Sequence, residues 1–197
     1  MGRLAQTIQG DNLKIAFAFL LSMPGAPFIY YGDEIGMRYV ENLTSVEGGY
    51  GRTGSRSPMQ WDNGVNAGFS SAAPERLYIP IDPDSARPTV QAQISDPDSL
   101  YSEVKKLIRI RREHEALQSR GEIEFVYAEK NEYPLAYIRS AENERILAVI
   151  NPADREVSFP WGHRVKKCIY STGGEIICGG SEVKVPPMSA GFYEIGE

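Results

Sequence analysis

Hydrophobic spacing changes three times along the chain. Between Asn12 and Ser22, Leu13, Ile15, Ala16, Phe17, Phe19, Leu20 and Leu21 cover most of a helix circumference, behind Asp11 as a candidate N-cap. A helix apolar nearly all round needs partners on more than one side. Phe28 to Tyr31 is a short run of apolar and aromatic residues between the breakers Pro24, Gly25 and Pro27 and the sequence Gly32-Asp33-Glu34. It predicts a buried strand with two carboxylates at its C-terminal end. Further on, Leu100, Val104, Leu107, Ile108 and Arg111 repeat at the spacing of one helix face, with Asp96 expected at the N-cap and Pro97 at the first position. Lys105, Lys106, Arg109 and Arg112 lie off that face and read as a solvated surface, not a nucleic-acid site.

After Leu117 the helical period stops. Eight short β-rich runs follow: 123–127, 135–139, 146–150, 157–161, 168–171, 175–178, 183–185 and 191–195, with Asn151-Pro152 and Gly173-Gly174 among the turn signals. Many short strands without a helix predict a small antiparallel sandwich. Residues 38–89, rich in Gly, Ser, Asn and Pro, predict a long excursion pinned by Met59, Gln60, Trp61 and Phe69. The expected domains are 1–117, a helix–strand–loop–helix segment, and 118–197, the sandwich.

At 197 residues with 42% apolar residues, the chain can bury a core. A net charge of -5 and a pI near 5.2 argue against nucleic acid or an anionic membrane as partner and leave a neutral polar ligand open. Cys168 and Cys178 have no metal-ligand spacing; two free buried thiols are preferred over a disulfide between neighbouring strands. The run Ile15 to Met23 superficially resembles a signal-peptide core, but it leads straight into the expected strand, so a cytoplasmic location is expected.

Two motifs carry a resemblance. The stretch Met23-Pro24-Gly25-Ala26-Pro27-Phe28-Ile29-Tyr30-Tyr31-Gly32-Asp33-Glu34-Ile35-Gly36-Met37, followed by Arg56-Ser57-Pro58-Met59-Gln60-Trp61-Asp62, resembles the last barrel strand and following loop of glycoside hydrolase family 13, the α-amylase family. Within that family it is most similar to the group of α-glucosidases, oligo-1,6-glucosidases, trehalose synthases and sucrose isomerases; Ser57 stands where they typically carry Thr. The resemblance extends over the helix to His114-Glu115-Ala116-Leu117 and the closing Val185-Pro186-Pro187-Met188-Ser189-Ala190-Gly191-Phe192-Tyr193. It implies a fold that is α/β plus all-β: the C-terminal portion of a (β/α)8 barrel, with its last strand and flanking helices, followed by a small antiparallel β-sandwich.

The implied chemistry is retaining catalysis on α-linked glucosides or maltooligosaccharides, by hydrolysis or by transglucosylation and isomerisation. It needs two carboxyls about 5–5.5 Å apart across the bond. Asp33 and Glu34, adjacent on a strand, would face opposite sides and cannot be that pair. The family's nucleophile, acid and stabilising Asp lie on the fourth, fifth and seventh strands, so the resemblance places all three upstream of Met1. No catalytic residue, metal or cofactor is therefore expected, and the chain alone is expected to be inactive. Neither His114 nor His163 matches a substrate-binding family histidine; both are expected to be structural or exposed.

The resemblance places Arg52 and Arg56 near the sugar-acceptor side, and Glu34 completes the candidate substrate-binding set. A guanidinium offers fixed donors to sugar hydroxyls or to a site carboxylate, while the alternative is that the arginines only tie the loop to Asp62 or Glu34. Gln60 and Trp61 are expected to be packing anchors rather than a sugar platform. Exposed barrel edges predict self-association. The competing function is a non-catalytic glycan- or protein-binding sandwich, with Tyr127, Tyr133, Tyr137, Trp161, Tyr170 and Tyr193 as candidate surface aromatics.

Overall fold

The computed structural model describes residues 2–196. The helices are α1 (Leu4–Thr7), α2 (Asn12–Ser22), α3 (Val90–Gln93) and α4 (Leu100–Glu113). The strands are β1 (Glu122–Tyr127), β2 (Leu135–Ala141), β3 (Glu144–Asn151), β4 (Val157–Pro160), β5 (Val165–Thr172), β6 (Ile177–Gly179), β7 (Glu182–Val185) and β8 (Ser189–Ile195). Packing divides the chain into two compact units, Met1–Gln9 with Phe28–Lys105, and Gly10–Pro27 with Lys106–Glu197. The change of periodicity at Leu117 marks a sequence boundary; packing instead groups α2 with the strands.

In the second unit all eight expected strands form. A five-stranded antiparallel sheet runs β1-β2-β3-β8-β5 and a three-stranded one runs β4-β7-β6. Ala136, Ile138, Leu147, Val149, Val183, Val185 and Ile195 from both sheets meet in one core, with Phe159 and Trp161 among them. The same core claims Tyr193, while Tyr137 and Tyr170 are also buried, which leaves Tyr133, at 44% exposure, as the one well-exposed aromatic of the expected surface set. Strand β3 is buried on both faces because α2 packs against β3 and β8 on the side away from the sandwich core. That is one side of the nearly all-apolar helix; Phe19 remains partly exposed.

The end of α2 is held by charge. Helix C-termini leave carbonyls without intrahelical donors. Arg111 donates to the carbonyls of Leu21 (2.7 Å), Met23 (2.8 Å) and Gly25 (2.6 Å). Arg139, fully buried, donates to the Ser22 carbonyl and to those of Gln118 (2.8 Å), Gly121 (3.0 Å) and Glu122 (3.0 Å). The Ser22 hydroxyl meets Tyr137 Oη at 2.5 Å, and burial pushes that phenol up to about 12.

In the first unit, Phe28–Tyr30 has no regular secondary structure and Tyr31 enters a turn, correcting the expected buried strand. Phe28 is 91% exposed, and no neighbouring chain among the described residues offers the backbone partners a strand requires. Asp33–Ile35 is a 3-10 turn between Gly32 (φ 84°) and Gly36 (φ 76°), closed by the Met37 amide on the Gly32 carbonyl (2.8 Å). The strand-alternation argument for Asp33 and Glu34 therefore gives way to turn geometry.

Helix α4 begins at Leu100, later than Asp96 and Pro97 suggested. Ser99 is the cap, its hydroxyl accepting from the Ser102 amide at 3.2 Å, while Asp96 closes a turn onto the Asp98 amide. The buried stripe of α4 contains Val104, Leu107, Ile110 and Arg111, whereas Ile108 is 39% exposed. Cys168 and Cys178 are free, but Cys168 is exposed, contrary to the buried expectation; burial raises the Cys178 thiol to about 11. His114 pairs with Glu144 (2.6 Å), and His163 is exposed beside Trp161. Among the described residues no helix is long and apolar enough to cross a membrane.

Removing the Arg139 guanidinium strips a shared donor from four carbonyls, of which that of Ser22 is buried and three are partly so, each bond worth about 1 kcal/mol. Arg139→Met is expected to lower unfolding stability by ~3 kcal/mol in urea titration, with Arg139→Lys intermediate because an ammonium cannot reach four carbonyls in the same plane.

Candidate functional site

The first unit carries a cleft of about 470 Å³. Tyr31, Glu34 and Arg56 line one part of it. Pro58, Met59, Trp61 and Phe69 form its wall, closed by residues 77–79. Two of the three expected substrate residues, Glu34 and Arg56, thus come together although they are far apart in sequence. Arg52 does not join them; its guanidinium lies over the Tyr50 ring at 5.7 Å. Neither arginine forms an ion pair among the described residues, so the expected alternative of ties to Asp62 or Glu34 is not what holds the loop.

The loop is held by other residues. Arg38 clamps Asp82 (3.1 and 3.2 Å) and Asp84 (2.5 Å) across its two ends. Gln60, buried as expected, donates to the Pro88 carbonyl (2.5 Å) while its own carbonyl accepts from the Val90 amide (3.0 Å). Asn66 is buried and donates to the carbonyls of Ser70 (2.9 Å) and Ala72 (2.7 Å). The backbone of Trp61 is fixed by Ala67 (2.8 Å) and Gln91 (2.9 Å), but its ring is 49% exposed and Phe69 is 50% exposed. The expected packing role for Trp61, and the pinning role for Phe69, are therefore corrected: both rings stand at the cleft.

Glu34 Oε2 is buried without a hydrogen-bond partner. Tyr31 donates its hydroxyl to the Ser57 carbonyl (3.0 Å), and burial pushes that phenol up to about 12. Next to Glu34, Asp33 faces another neighbour: Arg3 Nη1 lies 3.3 Å from its Oδ1 and also donates to the Tyr31 carbonyl. The Arg3 guanidinium stacks on the rings of Tyr30 (4.6 Å) and Tyr31 (4.7 Å). Sequence reasoning missed Arg3 and Arg38 and preferred packing for the ring of Trp61; the paired acidic residues at 82 and 84 offered a signal for Arg38. Among the described residues no three His, Cys, Asp or Glu side chains group as a metal site.

The family follows from comparison. Residues 1–120 match the model of the alpha-amylase catalytic domain, and the chain belongs to the α-amylase family of glycoside hydrolases. It is 28% identical over 221 residues to an oligo-1,6-glucosidase of Parageobacillus thermoglucosidasius, covering 94% of this chain and 38% of that protein. It is 37% identical over 158 residues to the trehalose synthase/amylase TreS of Mycobacterium tuberculosis, covering 76% of this chain and 25% of the other. The structure superposes on trehalulose synthase MutB from Pseudomonas mesoacidophila MX-45 with a TM-score of 0.78 and 26% identity, over 94% of this chain and 38% of MutB. The fold is thus that of part of an α-amylase family barrel with its β-domain, and the chain spans 25–38% of the length of these relatives.

Desolvation is the largest influence on Asp33 and raises its carboxyl pKa from the ordinary 3.8, against the lowering effect of Arg3. The folded chain then holds more protons than the unfolded chain in the window just above 3.8, so this residue's contribution to stability falls as pH rises through that window. A carbon-detected NMR titration is expected to place Asp33 above the usual carboxylate range, and Arg3→Met to move it higher still. A lower value in the variant contradicts this assignment.

Proposed function

We propose that this chain forms the aglycone side of the active-site cleft, and the β-domain, of an enzyme acting on α-linked glucosides by retaining hydrolysis or transglucosylation. The carrying observation is the convergence of Glu34 and Arg56 on one cleft walled by Trp61. An acidic acceptor and a cationic donor on the same rim suit the hydroxyls of a sugar acceptor. Relatives named for oligo-1,6-glucosidase, trehalose synthase and trehalulose synthase activity, and a point mutant of MutB solved in complex with the substrate sucrose, support the α-glucoside class. Retaining chemistry requires two carboxyls, and among the described residues Glu34 is the one acidic side chain lining the cleft, which supports the reading that the bond-breaking pair is supplied elsewhere in the enzyme. The competing reading, a glycan-binding sandwich, draws little support from a sheet whose aromatics are mostly buried.

Purified 197-residue chain is expected to release no glucose from maltose, isomaltose or sucrose; turnover that is lost in Arg56→Ala overturns the assignment of chemistry elsewhere. The run Phe28–Tyr31 joins no ladder and the rings of Phe28, Tyr30 and Tyr31 stand exposed, so self-association is the second expectation. Light scattering should show mass above a monomer, reduced on replacing Ile29 by Pro, and a dilution-resistant monomer rejects it.

A further inference from the structure

Both thiols of the chain belong to the sandwich. Side chains directly opposite each other on paired strands share a face of the sheet. Cys168 in β5 stands opposite Tyr193 of β8, and Cys178 in β6 stands opposite Val183 of β7. Tyr193 and Val183 are members of the core between the two sheets, and Cys178 packs against that core itself. Each cysteine therefore points toward the space between the sheets, one from either side. Strand β5 ends the order β1-β2-β3-β8-β5, β6 ends β4-β7-β6, and residues 173–176 join the two. The thiols thus face one open side of the sandwich. Tyr193 feels both: its hydroxyl is hydrogen-bonded to Cys168, and after burial the charges of Cys168 and Cys178 raise its pKa. Cys168 likewise adds to the burial that pushes the Cys178 thiol up to about 11. Charges act on a neighbour's titration in this way over short distances.

The two sulfurs differ in access. Cys168 is exposed on its edge strand, with Sγ 3.5 Å from the Tyr170 carbonyl, whereas Cys178 is half-buried. An exposed thiol meets a dissolved oxidant first, and a sheltered one beside it resolves the product. We propose that Cys168 and Cys178 form an oxidisable dithiol, which hydrogen peroxide converts into a disulfide clasping β5 to β6 across the edge of the sandwich. The Cys168 thiolate attacks one peroxide oxygen, the O–O bond breaks, and the departing hydroxide takes up the thiol proton as water, leaving a sulfenic acid. The Cys178 sulfur then attacks the Cys168 sulfur. The S–S bond forms, the S–O bond breaks, and hydroxide leaves with the Cys178 proton as a second water. The sulfurs together lose two electrons and the peroxide gains them. Both thiols are free in the structure, and closing the pair draws β6, an edge strand of three residues, toward β5. A thiol such as glutathione reverses the step by exchange.

Cleavage after Glu175 separates the two cysteines, and no Lys or Arg lies between them. We would treat the reduced 197-residue protein with hydrogen peroxide and map it by mass spectrometry. The expected result is loss of both free thiols and of the mass of two hydrogens. After trypsin and a glutamate-specific protease, the piece ending at Glu175 should stay joined to the piece beginning at Ile176 until reductant is added. Cys178→Ser should stop at the Cys168 sulfenic acid, which dimedone captures, and Cys168→Ser should leave Cys178 largely unlabelled. In glutathione buffers the folded protein should keep the link at a roughly tenfold more reducing ratio than the urea-unfolded chain, because a bond that suits the fold is stabilised by it. Treated protein that retains a free Cys178 beside an over-oxidised Cys168, or that joins two chains through Cys168, overturns the proposal. Equal glutathione ratios for folded and unfolded chain overturn it as well, since the pairing then owes nothing to the sandwich.

Discussion

The second unit depends on two guanidinium groups buried at the end of one helix. Helix α2 finishes at buried Leu21 and Ser22, where a carbonyl left without a donor opposes folding. Arg111 and Arg139 divide these acceptors between them, Arg111 taking Leu21, Met23 and Gly25, and Arg139 taking Ser22. Burial lowers both pKa values from the ordinary 12.5, and for Arg139 the nearby charge of Arg111 lowers it further. A guanidinium does not give up its proton even so, and the partial negative charge of a helix C-terminus compensates what water no longer does. Arg139 also holds the carbonyls of Gln118, Gly121 and Glu122, so the same group fixes the helix end and the entry into β1. Gly121 has no room for a side chain here: a Cβ would meet the Ala116 carbonyl and Arg139 itself.

This arrangement explains which parts of the fold were legible in the sequence. The strands were, because their short β-rich runs are separated by turn residues and each run became a strand with ends displaced by a few residues. Arg139 was not. In β2 it alternates with apolar neighbours as a solvent-facing residue would, yet its face of the sheet is covered by a helix more than a hundred residues away in sequence. Alternation gives the two faces of a strand; it does not say that both are buried. The same limitation operates in reverse at Phe28–Tyr31, where composition speaks for a central strand but burial needs neighbours that these residues do not have.

At the site, the structure brings Glu34 and Arg56 to one cleft, sets Arg52 over the Tyr50 ring and leaves the Trp61 ring, expected to pack, half exposed. The reason for Trp61 is general. A residue can anchor a loop through its backbone while its side chain points elsewhere, and composition does not distinguish the two. Here the amide and carbonyl of Trp61 are tied to Ala67 and Gln91, so the ring is fixed in place while half exposed. Anchoring and exposure are the same fact seen from the two ends of one residue.

The cleft is therefore a product of the polar ties behind it. Arg38 on Asp82 and Asp84 returns the far end of the excursion to the chain just after the Gly36 turn, and the Val46 amide on the Tyr78 carbonyl (2.9 Å) sets the residues before that clamp. Those residues, Leu77 to Ile79, face the strip Pro58–Trp61, which Gln60 fixes from beneath through Pro88 and Val90. Asp82 is buried and bidentate to a half-exposed Arg38, so the tie draws its strength from the forked geometry, with solvent still screening the guanidinium side. The loop's apolar packing is small: Met59 joins Ile35 and Met37 in one buried cluster. Buried hydrogen bonds hold the rest of the walls, and the carbon-lined space between them is what these ties leave open.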